Sequence, residues 1–216
     1  MLKCKKKTDG HTLRRWELAL LLGVALAALA GGALGAEQSA LADKVIRLHV
    51  IANSDSPADQ ALKLQVRDRI LSEVGDLFDQ GLTQEEAEAA ITAELGRLAA
   101  AGAEMVEEAG YGYPVTASLE ENVWFPTKGY QDFALPAGEY TALRIVIGEG
   151  GGQNWWCVVF PPLCLGSVTE TTAETAAAAG FSEDEISLIT GENEGYVVKF
   201  KAMELWDRFC AWIDGL

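Results

Sequence analysis

The chain has 216 residues, with 17 Lys+Arg against 32 Asp+Glu and a net charge of −15 at pH 7. So acidic a surface is repelled by nucleic acid and by anionic lipid headgroups, which excludes nucleic-acid binding and leaves any membrane attachment to a local segment. That segment comes first. Lys3, Lys5, Lys6, Lys7, Arg14 and Arg15 precede an uncharged run from Leu18 to Ala36 made mostly of Leu, Ala, Val and Gly. An uncharged run of this length behind a basic flank is a membrane-insertion signal, and the positive-inside rule places the flank in the cytoplasm and the remainder outside. The run is longer than the roughly 7–15 apolar residues of a cleaved signal, while Ala33-Leu34-Gly35 offers small residues for a signal peptidase. Cleavage and anchoring both stay open for residues 1–36. Without those residues, and their six basic and two acidic side chains, 11 basic and 30 acidic residues remain, a net charge of −19.

Residues 37–44 form a short polar stalk, and 45–216 have the length of one exported domain. The segment VIRLHVIA at 45–52 alternates as a strand, with Ile46, Leu48, Val50 and Ala52 on one side and Arg47 and His49 on the other. The turn Asn53-Ser54-Asp55-Ser56-Pro57 leads into a helix that runs to about Phe78. Ser56 is its N-cap, Pro57 suits the first helical position, and Asp59 completes a pattern like a capping box. At about 100° per residue, Asp59 and Lys63 fall on the row that Ile70 and Leu77 occupy further along. Two readings follow: the first turns overhang the sheet and are solvated, or His49, Asn53, Asp55, Asp59, Lys63 and Arg67 form a polar partner-binding site at the junction.

Thr83 and Glu86 open a second helical stretch from Gln84 to about Ala109, which Gly96 and Gly102 allow to be one helix or two. From Tyr113 the character turns to strand, at Pro114–Leu119, Val123–Phe125, Tyr140–Ile147 and Trp155–Phe160, with turns at Pro126-Thr127, Leu135–Gly138 and Gly148–Gly152. Helices are expected at Ala173–Ala179 and Glu183–Ile189, then a strand at Tyr196–Phe200 and a helix at Met203–Ile213. A strand, then helices, then a run of strands predicts an α+β fold with one mixed sheet.

Catalytic patterns are weak. His49 is the sole exported histidine and the cysteines lack metal-ligand spacing, so no metal or cofactor is expected. Ser54 is close to His49 and Asp55 but lacks a nucleophile elbow. Cys157, following Asn154-Trp155-Trp156, offers a Cys–His nucleophile system as an alternative hydrolase reading. A disulfide to nearby Cys164 is a simpler fate for that thiol outside the cell. Gly148–Gly152 lacks the Lys/Ser pair and the following helix of a phosphate loop. Aromatics between Trp124 and Pro162 are dense enough to mark a core or an interaction surface, and adjacent Trp155 and Trp156 point to opposite faces of a strand.

Two segments carry a family resemblance. IRLHVIANSDSPADQALKLQVRD at 46–68 and FPTKGYQDFALPAGEYTALRIVIGEGGGQNWWCVVFPPLCL at 125–165 resemble the two signature stretches of stage II sporulation protein R, in the same order and behind a membrane signal. The resemblance implies a protein exported into the space between forespore and mother cell. There it would trigger a membrane-bound aspartic protease that cuts a pro-sigma factor of the sigma E type. It implies an intercellular signal rather than an enzyme, and carries over no catalytic residues. The partner surface is then expected among His49, Asn53, Asp55, Asp59, Lys63, Arg67, Trp155 and Trp156.

Overall fold

The computed structural model describes residues 18, 20–24, 40–78, 82–130, 133–163 and 172–190. The chain falls into two units, Met1–Glu37 and Gln38–Leu216. In the first, residues 18 and 20–24 are helical with exposed Leu and Val side chains, and the rest of the predicted apolar run lies outside the described residues. Among the described residues no helix is long and apolar enough to cross a membrane.

The second unit is α+β with a mixed sheet, as the element order predicts. Strand β1 (Ile46–Ile51) leads to helices α1 (Pro57–Gly75) and α2 (Gln84–Glu108). Strands β2 (Val115–Phe125), β3 (Lys128–Gly129), β4 (Ala134–Leu135), β5 (Gly138–Ile147) and β6 (Asn154–Phe160) follow, then α3 (Thr172–Ala178) and α4 (Glu183–Thr190). The main sheet has the order β2-β5-β1-β6. β1 runs parallel to β5 and antiparallel to β6, and β2 is antiparallel to β5. β3 and β4 form a separate two-stranded ribbon. The strand predicted at Tyr196–Phe200 and the helix at Met203–Ile213 lie outside the described residues.

Each face of the sheet has its own core. Ile46, Leu48 and Val50 of β1 meet Leu62, Val66 and Ile70 of α1 and Ile91, Leu98 and Val106 of α2 on one side. On the other, Val45, Phe125, Tyr140, Ala142 and Val158 pack with Ala176, Phe181 and Ile189 from the α3–α4 region. This double cover leaves β1 buried along nearly its whole length, Arg47 included.

Local signals explain the helix starts. The Ser56 hydroxyl accepts from the Asp59 backbone N–H with Pro57 at the first helical position, and Thr83 and Glu86 form a full reciprocal capping box. Between the two open readings of the second helical stretch, one 25-residue helix forms. It runs through both glycines. A Cβ on Gly102 would lie 2.8 Å from the Val115 Cγ1, so this glycine lets α2 approach β2 closely. The two strands expected at Pro114–Leu119 and Val123–Phe125 are one strand, β2, whose register shifts between Glu120 and Val123 where Asn122 takes φ +56°. A bulge of this kind bends a strand without ending it.

Candidate functional site

The turn after β1 is a closed hydrogen-bonded knot. The Asp59 carboxylate accepts from the Asn53 amide at 3.0 Å and from the Ser54 hydroxyl at 2.5 Å. Asn53 Oδ1 in turn accepts from the Glu149 N–H at 3.0 Å, and Asp55 accepts from the Gln153 N–H at 2.7 Å. Lys63 Nζ donates to the Gln153 carbonyl at 2.9 Å and to Gln60 Oε1 at 2.7 Å. Gln60 closes the ring by donating to the Ser54 carbonyl. The β5–β6 loop thereby lies directly on the turn, and its glycines permit the approach. A Cβ on Gly148, which has φ +61°, would stand 2.8 Å from Asn53 Cγ, and one on Gly152 would stand 2.6 Å from the Ser54 carbonyl carbon.

These contacts correct the overhang reading. Asp59 is 4 % exposed and Lys63 5 %, and both continue the buried stripe of Leu62, Val66 and Ile70. Leu77, placed on the same row from the sequence, lies beyond the end of α1. The capping-box pattern at Ser56 is also incomplete, because the Asp59 side chain turns to Asn53 and Ser54 instead of the cap backbone. Hydrogen bonds from Ser54 first and Asn53 second hold the Asp59 carboxyl below the usual carboxylate range. Burial lowers the Lys63 ammonium, against the raising influence of Asp55.

The six-residue polar cluster expected at the junction divides. Asn53, Asp55, Asp59 and Lys63 come together there. Arg67 sits one turn further along α1, with its guanidinium 4.7 Å from the Trp155 ring centroid and an ion pair to Asp68. His49 does not join them. Strand alternation turns it to the opposite face, between Phe125 at 5.9 Å and Trp156 at 6.1 Å. Trp155 and Trp156 do point to opposite faces, as expected of adjacent strand residues: Trp155 packs with the helix-side core and Trp156 with the far one.

The far face holds what periodicity alone did not single out. Arg47 is fully buried, donating from Nε to the Cys157 carbonyl at 3.1 Å and from Nη2 to the Tyr130 hydroxyl at 3.1 Å. Its guanidinium lies 4.4 Å from the Phe125 ring centroid and 4.9 Å from that of Tyr140. An arginine inside VIRLHVIA, in a strand covered on both sides, was the available signal. Burial pushes the Tyr140 hydroxyl up to about 12 and raises that of Tyr130, with Arg47 opposing both shifts. Burial also lowers the His49 pKa, helped by Arg144 and opposed by Asn154 and Glu120.

Both nucleophile arrangements weighed from the sequence are separated in space. Cys157 pairs with Leu48 and faces the helices, whereas His49 pairs with Trp156 and faces away. Cys157 is buried and disulfide-bonded, and Cys164 lies outside the described residues. The Ser54 hydroxyl is committed to Asp59. At the other end of the sheet, a cleft of about 700 Å³ is lined by Glu85, Glu88, Glu121 and Glu139, among others. Among the described residues no group of three His, Cys, Asp or Glu side chains could hold a metal ion.

A mixed four-stranded sheet with helices on both faces, closed at one end by a glycine-rich loop on a polar turn, defines an α+β domain. Residues 42–170 match the family described as stage II sporulation protein R. The match covers more than half of the chain, which therefore belongs to that family. The stage II sporulation protein R of Bacillus subtilis (strain 168) is 41% identical over 123 residues, 57% of this chain and 54% of that protein. The chain thus spans about half the length of the curated relative it matches. No solved structure matches it.

Proposed function

We propose that this chain acts in sporulation as an exported intercellular signal, one that activates a membrane-bound aspartic protease of the mother cell and so starts processing of a pro-sigma factor of the sigma E type. The observation that carries this reading is the family match over 42–170, which includes both segments, 46–68 and 125–165. The basic flank and uncharged run supply the route out of the forespore, as a cleaved signal or as an anchor, into the space between the two cells. A bridge from Cys157 to Cys164 suits that compartment.

The protease-contacting surface is proposed at the start of α1 and the edge of β6 beside it. Asp55 is exposed there, and Arg67 stacked on Trp155 offers a half-buried cation and a ring, two side-chain types enriched where interfaces concentrate their energy. Asn53, Asp59 and Lys63 support this surface from within, while His49 and Trp156 belong to the opposite face. Co-expression of the chain, the protease and the pro-sigma factor in a non-sporulating host tests the function. Cleavage is expected only when the full chain is present, and is expected to fail when residues 1–36 are deleted. Cleavage that proceeds equally without the chain would overturn the reading. Arg67→Ala and Trp155→Ala test the surface: a fall in cleavage with an unchanged thermal midpoint supports it, and full cleavage moves it elsewhere.

A further inference from the structure

We propose that the far face of the sheet carries a binding site for a small aromatic or apolar carboxylate, formed by Arg47, His49 and Arg144 and walled by Phe125 and Trp156. Among the described residues, Arg47 Nη1 and Arg144 Nε are buried without a hydrogen-bond partner, and both His49 ring nitrogens are buried without a hydrogen bond of good geometry, although the Asn154 side chain interacts with the ring. All four belong to three residues on one face of two adjacent strands. His49 stands directly beside Arg144 in the parallel β1–β5 register, and Arg47 is two residues back along β1. Neighbouring strands are about 4.8 Å apart and alternate residues of one strand about 6.6–6.8 Å apart, so the three side chains rise from adjoining positions on that face.

The chemistry selects an anion. Buried polar groups in folded proteins almost always find partners, so two orphaned guanidinium nitrogens beside a poorly satisfied imidazole call for an explanation in that patch. Two of the three residues are guanidinium cations, whose planar N–H forks fit the two oxygens of a carboxylate. Glu120 is ion-paired to Arg144 through Nη1, at 3.1 and 2.8 Å, which leaves Nε unused. Arg47 has no carboxylate partner among the described residues; a carbonyl, a hydroxyl and two ring faces surround it. An unpaired buried charge is costly to a fold, and an incoming anion would relieve that cost.

Shape narrows the ligand. Phe125 and Trp156 flank His49, giving the donors an apolar wall that suits a ring or an aliphatic body behind the carboxylate. Entry is from the Arg144–Glu120 side, where the side chains are 31% and 40% exposed. The site is distinct from the proposed protease-contacting surface, which lies on the helix side of β6, so either can fail without the other.

Benzoate is the probe, with benzamide as its uncharged counterpart, titrated by calorimetry into the full chain in detergent at fixed ionic strength. Saturable binding of benzoate is expected, with benzamide at least tenfold weaker. Arg144→Met and Arg47→Met should each weaken benzoate about tenfold or more, since each removes a charged donor. His49→Phe keeps the ring wall and should weaken it less. Thermal midpoints identify variants that remain folded, and if Arg47→Met does not fold, Arg144→Met carries the test. Benzoate binding that is absent, matched by benzamide, or unchanged in folded Arg144→Met would overturn the proposal.

Discussion

Two polar clusters adjoin strand β1, and they are built on opposite terms. At its C-terminal end, Asn53, Ser54, Asp55, Asp59 and Lys63 answer one another and the backbone of the β5–β6 loop. On its far face, among the described residues, Arg47 and Arg144 keep buried nitrogens without partners beside a poorly satisfied His49. A buried network whose members are satisfied contributes to a unique structure, whereas an unsatisfied one stores a cost that folding alone does not require. The first cluster is therefore the architecture beneath the proposed protease-contacting surface, and the second is where the carboxylate site is proposed.

The sharpest way to break the first cluster is through its loop. Gly152→Val would drive a side chain into the Ser54 carbonyl and the Ala52 Cβ, 2.9 Å from the ideal Cβ position. Overpacking of this kind costs about 1–3 kcal/mol, and this case belongs at the upper end because the neighbour is backbone. Denaturant unfolding should show the loss. A wild-type midpoint would mean that the loop does not lie on the turn.

Acid titration gives a second test. The folded-state Asp59 pKa is lowered, so its contribution is present above the ordinary carboxylate pKa, about 3.9 when unfolded, and is lost as pH falls through the lower folded value. Asp59→Asn should lower stability at neutral pH and flatten its decline below about pH 4. Denaturation curves collected from pH 7 to pH 3 would show the two proteins converging. A constant gap across that range would remove the carboxylate charge from the account.

Smaller effects sharpen the contrast. Arg47→Met removes an incompletely satisfied buried cation but takes a donor from the Cys157 carbonyl and the Tyr130 hydroxyl, so the two effects should offset to within about 1 kcal/mol. The thermal midpoint should hold. A large fall would make Arg47 part of the architecture, like Asp59. Smallest of all, Glu107→Gln and Glu108→Gln, on the exposed end of α2, should stay within about ±0.5 kcal/mol and leave protease activation unchanged.

Much of the fold was legible because its signals are local. Ser56-Pro57 and Thr83-x-x-Glu86 start helices through hydrogen bonds that span three residues. The strands at 46–51, 138–147 and 154–160 announce themselves through runs of β-branched and aromatic side chains. The bulge in β2 was not legible. It depends on the register against β5, and the sequence 120–123 contains no proline or glycine to mark it.

The candidate sites divide along the same line. The sequence by itself determined that Asp59 and Lys63 share a row with apolar residues and that His49 lies two places from Arg47, because helix and strand periods are properties of neighbouring residues. Only the tertiary structure decided what covers those rows. Lys63 donates to the Gln153 carbonyl, ninety residues away, which no local period can report. The strand period of two sends His49 away from α1, so residues adjacent in sequence enter different sites. Partners distant along the chain set the burial of a charge and whether its hydrogen bonds are met, and those two quantities separate the structural knot from the proposed binding site.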